Sequence, residues 1–135
     1  MTAQDLKQIH AIKQEIKMWE EKLVELETKA LAHGQVLTGM PGGNKTSDNV
    51  AYIASDIVEV KKIIEGKLTE LKRIEREIMD FINNIEDSYV RQIIFLRCVN
   101  CYTWGQVANK LNATPDGIRK TYFRYLDKEL EKVKG

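Results

Sequence analysis

Apolar residues recur at steps of three and four from near the start of the chain. Ile9, Ile12, Ile16, Trp19, Leu23, Leu26 and Ala30 fall on one stripe of a helix over residues 3–32, because alternating such steps keeps side chains on one face at 3.6 residues per turn. The spacing is that of a coiled-coil seam. His33-Gly34 predicts the end of this helix, since glycine accepts the left-handed conformation that closes helices. Residues 34–47, GQVLTGMPGGNKTS, follow. Gly39, Pro41, Gly42 and Gly43 disfavour helix there, and the segment reads as a flexible linker long enough for the chain to fold back. From a cap at Ser47 or Asp48, a second seam of Val50, Ile53, Ile57, Val60, Ile64, Leu71, Ile74, Ile78 and Phe81 predicts a helix to about Asn83. Lys67 interrupts that seam with Gly66 beside it, and a loosened or bent point is expected there, glycine costing about 1 kcal/mol relative to alanine in a helix interior. A helix of that length spans roughly 50 Å and needs a partner. The first helix supplies part of the cover, giving a long antiparallel helical hairpin over residues 1–84, and a second copy of the chain would supply the rest.

After Asn84 the pattern changes. Ile93, Ile94, Phe95, Leu96 and Val99 crowd together, which suits a short buried helix, and residues 85–135 read as a three-helix module. Its first helix covers about Ser88–Val99. The second starts at Thr103, where Gln106 completes a capping box, and offers Trp104, Val107, Ala108 and Leu111 to a core. The third starts at Thr114, with Pro115 at its first position and Asp116 in its first turn. A hydroxyl cap, a residue without an amide hydrogen and an acid at the positive end of the dipole together mark a helix start. Only Leu111-Asn112-Ala113 separates the last two helices. Ala108 is small enough for the close crossing of a helix-turn-helix, and Asn112 tolerates positive φ in the turn. The fold class expected is therefore all-α.

Charge divides along the same line. Residues 1–87 carry 12 basic and 16 acidic side chains, whereas residues 88–135 carry 9 and 4. A basic module joined to an acidic arm points to an anionic partner for the C-terminal part alone. The third helix has the chemistry for one. Ile118, Tyr122, Tyr125 and Leu126 form its inward stripe, and Asp116, Lys120, Phe123, Arg124 and Asp127 its outward face, flanked by Gly117 and Arg119. An α-helix fits the major groove of duplex DNA, with its N-terminal half nearest the base edges. Arg119 and Lys120 can donate to guanine, Arg124, Lys128 and Arg97 can neutralise phosphates, Gly117 leaves room for backbone to approach, and Phe123 can meet a thymine methyl or a second subunit. With the capping hydroxyls Thr103 and Thr114, the DNA-contacting set is Thr103, Thr114, Asp116, Gly117, Arg119, Lys120, Phe123 and Arg124.

Ile94-Phe95-Leu96-Arg97 and Tyr102-Thr103-Trp104-Gly105-Gln106-Val107-Ala108-Asn109-Lys110-Leu111-Asn112-Ala113-Thr114 resemble the promoter-reading C-terminal region (region 4) of bacterial sigma factors. The whole chain also resembles small sigma-like regulators from prophages of Gram-positive bacteria, in which a helical region, a Met-Pro-Gly-Gly linker (here Met40–Gly43) and a helix-turn-helix follow in this order. The resemblance implies sequence-specific DNA binding, transcription regulation and contact with RNA polymerase. Cys98, Cys101 and Asn112 depart from the sigma pattern, as do Pro115 and Gly117, and nothing in the chain resembles the part of a sigma factor that binds the −10 element. The module is thus expected to act without being a complete sigma factor.

Other classes of function fit less well. The residues form no Ser-His-acid set, and Gly39–Gly43 lacks the Gly-Lys-Ser/Thr end of a phosphate loop, so the chain is not expected to be an enzyme. Cys98 and Cys101 are spaced as half a zinc site, yet His10 and His33 lie far upstream. No metal or cofactor is expected, and both cysteines read as ordinary buried residues. No apolar run is long enough to span a membrane and no signal peptide precedes the first helix, so a cytoplasmic location is expected. Two alternatives to a dimeric regulator remain: an oligomeric DNA-packaging component like a phage small terminase subunit, and a protein-interaction module whose basic face binds an acidic partner.

Overall fold

A computed structural model describes residues 1–37 and 44–134, and the side chains of residues 1–32 and 50–129. Every regular element among them is helical: α1 (Ala3–Leu37), α2 (Asn44–Asn83), α3 (Ser88–Ile94) with a π-helical turn at Phe95–Val99, α4 (Trp104–Lys110) and α5 (Pro115–Lys134). The chain is all-α. No helix among the described residues is long and apolar enough to cross a membrane.

α1 opens on a reciprocal cap. The Asp5 amide donates to Thr2 Oγ1 at 3.2 Å, and the Thr2 amide donates to Asp5 Oδ2 at 2.8 Å, satisfying two of the donors that a helix start leaves over. The backbone bond from Thr2 holds the Asp5 carboxyl below its ordinary pKa. α1 then runs past the stop expected at His33-Gly34 to Leu37. Glycine permits a left-handed close without imposing one, and its cost of about 1 kcal/mol in a helix interior is small against cooperative propagation. At the other side α2 begins at Asn44, ahead of the cap expected at Ser47 or Asp48. The rest of the expected linker, residues 38–43, lies outside the described residues, and Met40-Pro41-Gly42-Gly43 with it.

α2 passes through Gly66 and Lys67 as continuous helix. Lys67 is half-buried at its seam position, and its Nζ meets the Glu15 carboxylate of α1 at 2.7 Å, the arrangement in which a long stem lets a charged head reach solvent and a partner. That carboxylate raises the ammonium pKa.

The chain divides into two compact units, and both long helices contribute to each. Lys13–Glu70 is a pure two-helix unit. Ile16, Leu26 and Val60 are buried, but Trp19, Leu23, Ala30, Ile53, Ile57 and Ile64 are only half-buried, because a single facing helix covers a seam residue from one side. The other unit joins Met1–Ile12 to the chain from Leu71 onward. The start of α1 thus shares a unit with the end of α2, and Glu15 pairs with Lys67, so the two helices run antiparallel. Burial is deeper in this unit. Leu6, Ile9, Ile78, Ile93, Ile94, Val107 and Ile118 are almost completely enclosed, since three short helices add layers that the two-helix unit lacks.

Candidate nucleic-acid interface

Asp87 starts the C-terminal module. Its Oδ1 accepts the amides of Tyr89 (2.8 Å) and Val90 (3.4 Å), capping α3. Arg91, one turn on, donates from Nη1 to the Ile85 and Glu86 carbonyls at 2.6 and 3.0 Å, which fixes the corner between α2 and α3.

The single helix expected over Ser88–Val99 does not persist as α-helix. Its last turn widens at Phe95–Val99, where the Asn100 amide reaches back five residues to the Phe95 carbonyl at 3.1 Å. Cys101 then takes a φ of 58°. Such single-turn widenings add a residue to a turn and re-aim the side chains beyond it. Here the turn buries Cys98, whose Sγ lies 3.5 Å from the Tyr122 hydroxyl of α5. Arg97, meanwhile, lays its guanidinium over the Trp104 ring at 4.2 Å and donates from Nη1 to the Tyr102 carbonyl at 2.9 Å. The side chain is half-buried and engaged on both counts, so its charge joins the π-turn to the first turn of α4.

α4 carries the expected capping box. Thr103 Oγ1 accepts the Gln106 amide at 3.2 Å, and Gln106 Oε1 accepts the Thr103 amide at 2.9 Å. Its end is closed by Asn112 at φ 52°, with the Ala113 amide donating to the Ala108 carbonyl at 2.9 Å, a Schellman-type close in which asparagine takes the place usual for glycine. Thr114 follows at once as the cap of α5: its Oγ1 accepts the Gly117 amide at 3.1 Å. A Cβ built on Gly117 would stand 3.0 Å from that same oxygen, so glycine keeps the cap undisturbed.

α5 sorts its faces sharply. Ile118, Tyr122 and Leu126 are buried, with α3 and α4 packed on α5. Trp104 meets Tyr122 edge-on at 5.1 Å between ring centroids. All eight expected contact residues, Thr103, Thr114, Asp116, Gly117, Arg119, Lys120, Phe123 and Arg124, are exposed. The structure brings four of the α5 members together, with Asp127 beside them. Arg119, Lys120, Phe123, Arg124 and Asp127 line an open concavity of about 530 Å³, and Arg119 is steadied by a bond from Nη2 to Asp116 Oδ1 at 2.9 Å. Thr103 and Thr114 stand apart from this stripe, their oxygens already engaged as helix caps. Among the described residues, no three His, Cys, Asp or Glu side chains gather as metal ligands would.

Burial pushes the Cys98 thiol up from 9.0 to about 11 and pushes the Tyr122 phenol higher still, because a thiolate or phenolate there would lose its hydration. A raised folded-state pKa gives stability that is complete below the unfolded value and is lost as pH rises through the folded value. The stability difference between the wild-type chain and Cys98→Ala should therefore narrow as pH rises from 9 toward 11. Paired denaturant titrations across that window check this, and a constant difference would contradict it.

No curated protein and no solved structure matches the chain. Residues 30–134 match a family described as a protein of unknown function, DUF1492, a stretch that takes in α2, the whole C-terminal module and the exposed stripe of α5. The chain belongs to the DUF1492 family.

Proposed function

We propose that this protein is a sequence-specific DNA-binding regulator of transcription, related in design to sigma region 4 and of the kind found in phages. In this reading α4 and α5 form the helix-turn-helix, and α5 lies in the major groove of duplex DNA. The reading rests on the stripe Arg119–Lys120–Phe123–Arg124, exposed on a helix whose opposite face is locked into a core. A helix of this kind presents donors at a fixed angle, which is what base-edge recognition needs. Arg119, held by Asp116, and Lys120 supply donors for guanine O6 and N7, while Arg124 serves a phosphate. The acidic balance of residues 1–87 leaves the antiparallel helices for other work: self-association as a dimer, or contact with RNA polymerase.

Arg119→Ala and Lys120→Ala should each weaken binding to a selected duplex by about 1–3 kcal/mol. Neither should shift the thermal melt, since both side chains are exposed. Binding curves on sites selected from a random duplex pool, read beside the melts, test the assignment. Full affinity in both variants would overturn it.

A further inference from the structure

Phe123 is a large apolar ring in the middle of a cationic stripe. It is 49% exposed, and one edge of it is held: it meets Tyr122 edge-on at 5.2 Å and Trp104 at 6.0 Å between centroids. Tyr122 is itself buried. The ring is therefore steadied from the core side while its outer part faces solvent, and little conformational freedom is left to lose when something covers it. Arg119 and Lys120 stand four and three residues before it on the same face, Arg124 follows it, and these residues share one concavity. Asp127, one turn further on, lines the far end of that concavity and repels an anionic ligand.

We propose that Phe123 is a specificity-determining residue that reads the C5-methyl group of thymine in the major groove, an inference that rests on the DNA-binding reading above. Duplex DNA presents anionic and apolar groups side by side at this scale. Its major groove offers guanine O6 and N7 to cations and the thymine methyl to an apolar ring. Side chains one helical turn apart lie about 5–6 Å from each other, so the thymine read by Phe123 stands within about two base pairs of the guanine read by Arg119 or Lys120.

The test uses the full chain and two changes, one on each side of the contact. Duplexes are selected from a random pool with the wild-type chain and with Phe123→Ala. The preferred duplex is then remade with deoxyuridine for thymidine at each position in turn, which removes the methyl group and keeps the pairing. Removal at one position near a guanine should weaken wild-type binding about fourfold, the value of one buried methyl-sized group, and should leave Phe123→Ala binding unchanged. Phe123→Leu, which keeps an apolar contact, should retain part of the discrimination. Salt-sensitive binding to a preferred site with no response to any uracil overturns the role of Phe123 and leaves the DNA-binding reading standing. Absence of salt-sensitive binding to any duplex overturns both. Where Phe123→Ala melts early, Phe123→Leu supplies the protein-side arm, and a uracil effect as large in that variant as in the wild type overturns the role of Phe123.

Discussion

Trp104→Ala should destabilise the C-terminal unit by about 3–5 kcal/mol, the range for truncating a large aromatic at a packed site. The tryptophan is half-buried, but three partners depend on it. Tyr122 meets it edge-on at 5.1 Å, Phe123 lies at 6.0 Å and the Arg97 guanidinium stacks on it at 4.2 Å. Aromatic pairs of this geometry add about 0.5–1.5 kcal/mol beyond their buried area. The loss also has a directional signature. Arg97, Tyr122 and Phe123 belong to the π-turn and α5, so removing Trp104 loosens α4 from both neighbours at once. Denaturant titration monitored by circular dichroism measures the cost. An unchanged transition would show that α4 is held by Val107 and Ala108 alone.

The second large effect is expected at Ile118. Its side chain is fully enclosed in the first turns of α5, and Ile118→Ala should cost about 2–5 kcal/mol as transfer and cavity terms combine. Ile118→Val removes a single methylene and should cost about 0.5–1.5 kcal/mol. The pair matters for function because Ile118 stands directly before Arg119. On the proposed function, a slack core under α5 lets the exposed stripe rock against duplex DNA, so at a temperature where both variants are folded affinity should fall less in the valine variant than in the alanine variant. Thermal melts with binding curves at that temperature check both. Equal melts for wild type and Ile118→Ala would place the isoleucine outside the core.

Much of this architecture was legible in the sequence, for identifiable reasons. The helical seams showed because a buried stripe imposes a period on residue choice: Ile9, Ile12, Ile16, Leu26, Val60, Leu71, Ile74 and Ile78 are all buried. The capping box at Thr103, the turn at Asn112 and the Thr114-Pro115-Asp116 start were legible because each uses a residue whose chemistry suits one backbone geometry. The widened turn at Phe95–Val99 and the positive φ of Cys101 were not. Cysteine has no special tolerance of left-handed backbone, so the surroundings impose it. The stop expected at Gly34 failed for the opposite reason, since a glycine only permits what context then decides. Leu6, Ile82 and Ile85 belong to the core although they stand at the margins of the seams, where periodicity says least.

The candidate site was readable as a face but not as a set of contacts. Exposure of Arg119, Lys120, Phe123 and Arg124 follows from their place opposite Ile118, Tyr122 and Leu126. That Asp116 steadies Arg119 agrees with their three-residue spacing and was a signal present in the sequence. The stacking of Arg97 on Trp104 left no such signal, because it depends on the π-turn that re-aims Arg97.

The direct measurement is the salt dependence of duplex-DNA binding by the full chain. Each phosphate neutralised releases counterions, so the logarithm of the affinity should fall linearly with the logarithm of salt, by about 0.9 per contact. Arg124→Ala should lower that slope by about one contact, with the melt unaltered. Binding that is undetectable at low salt, or that ignores salt altogether, would contradict the account.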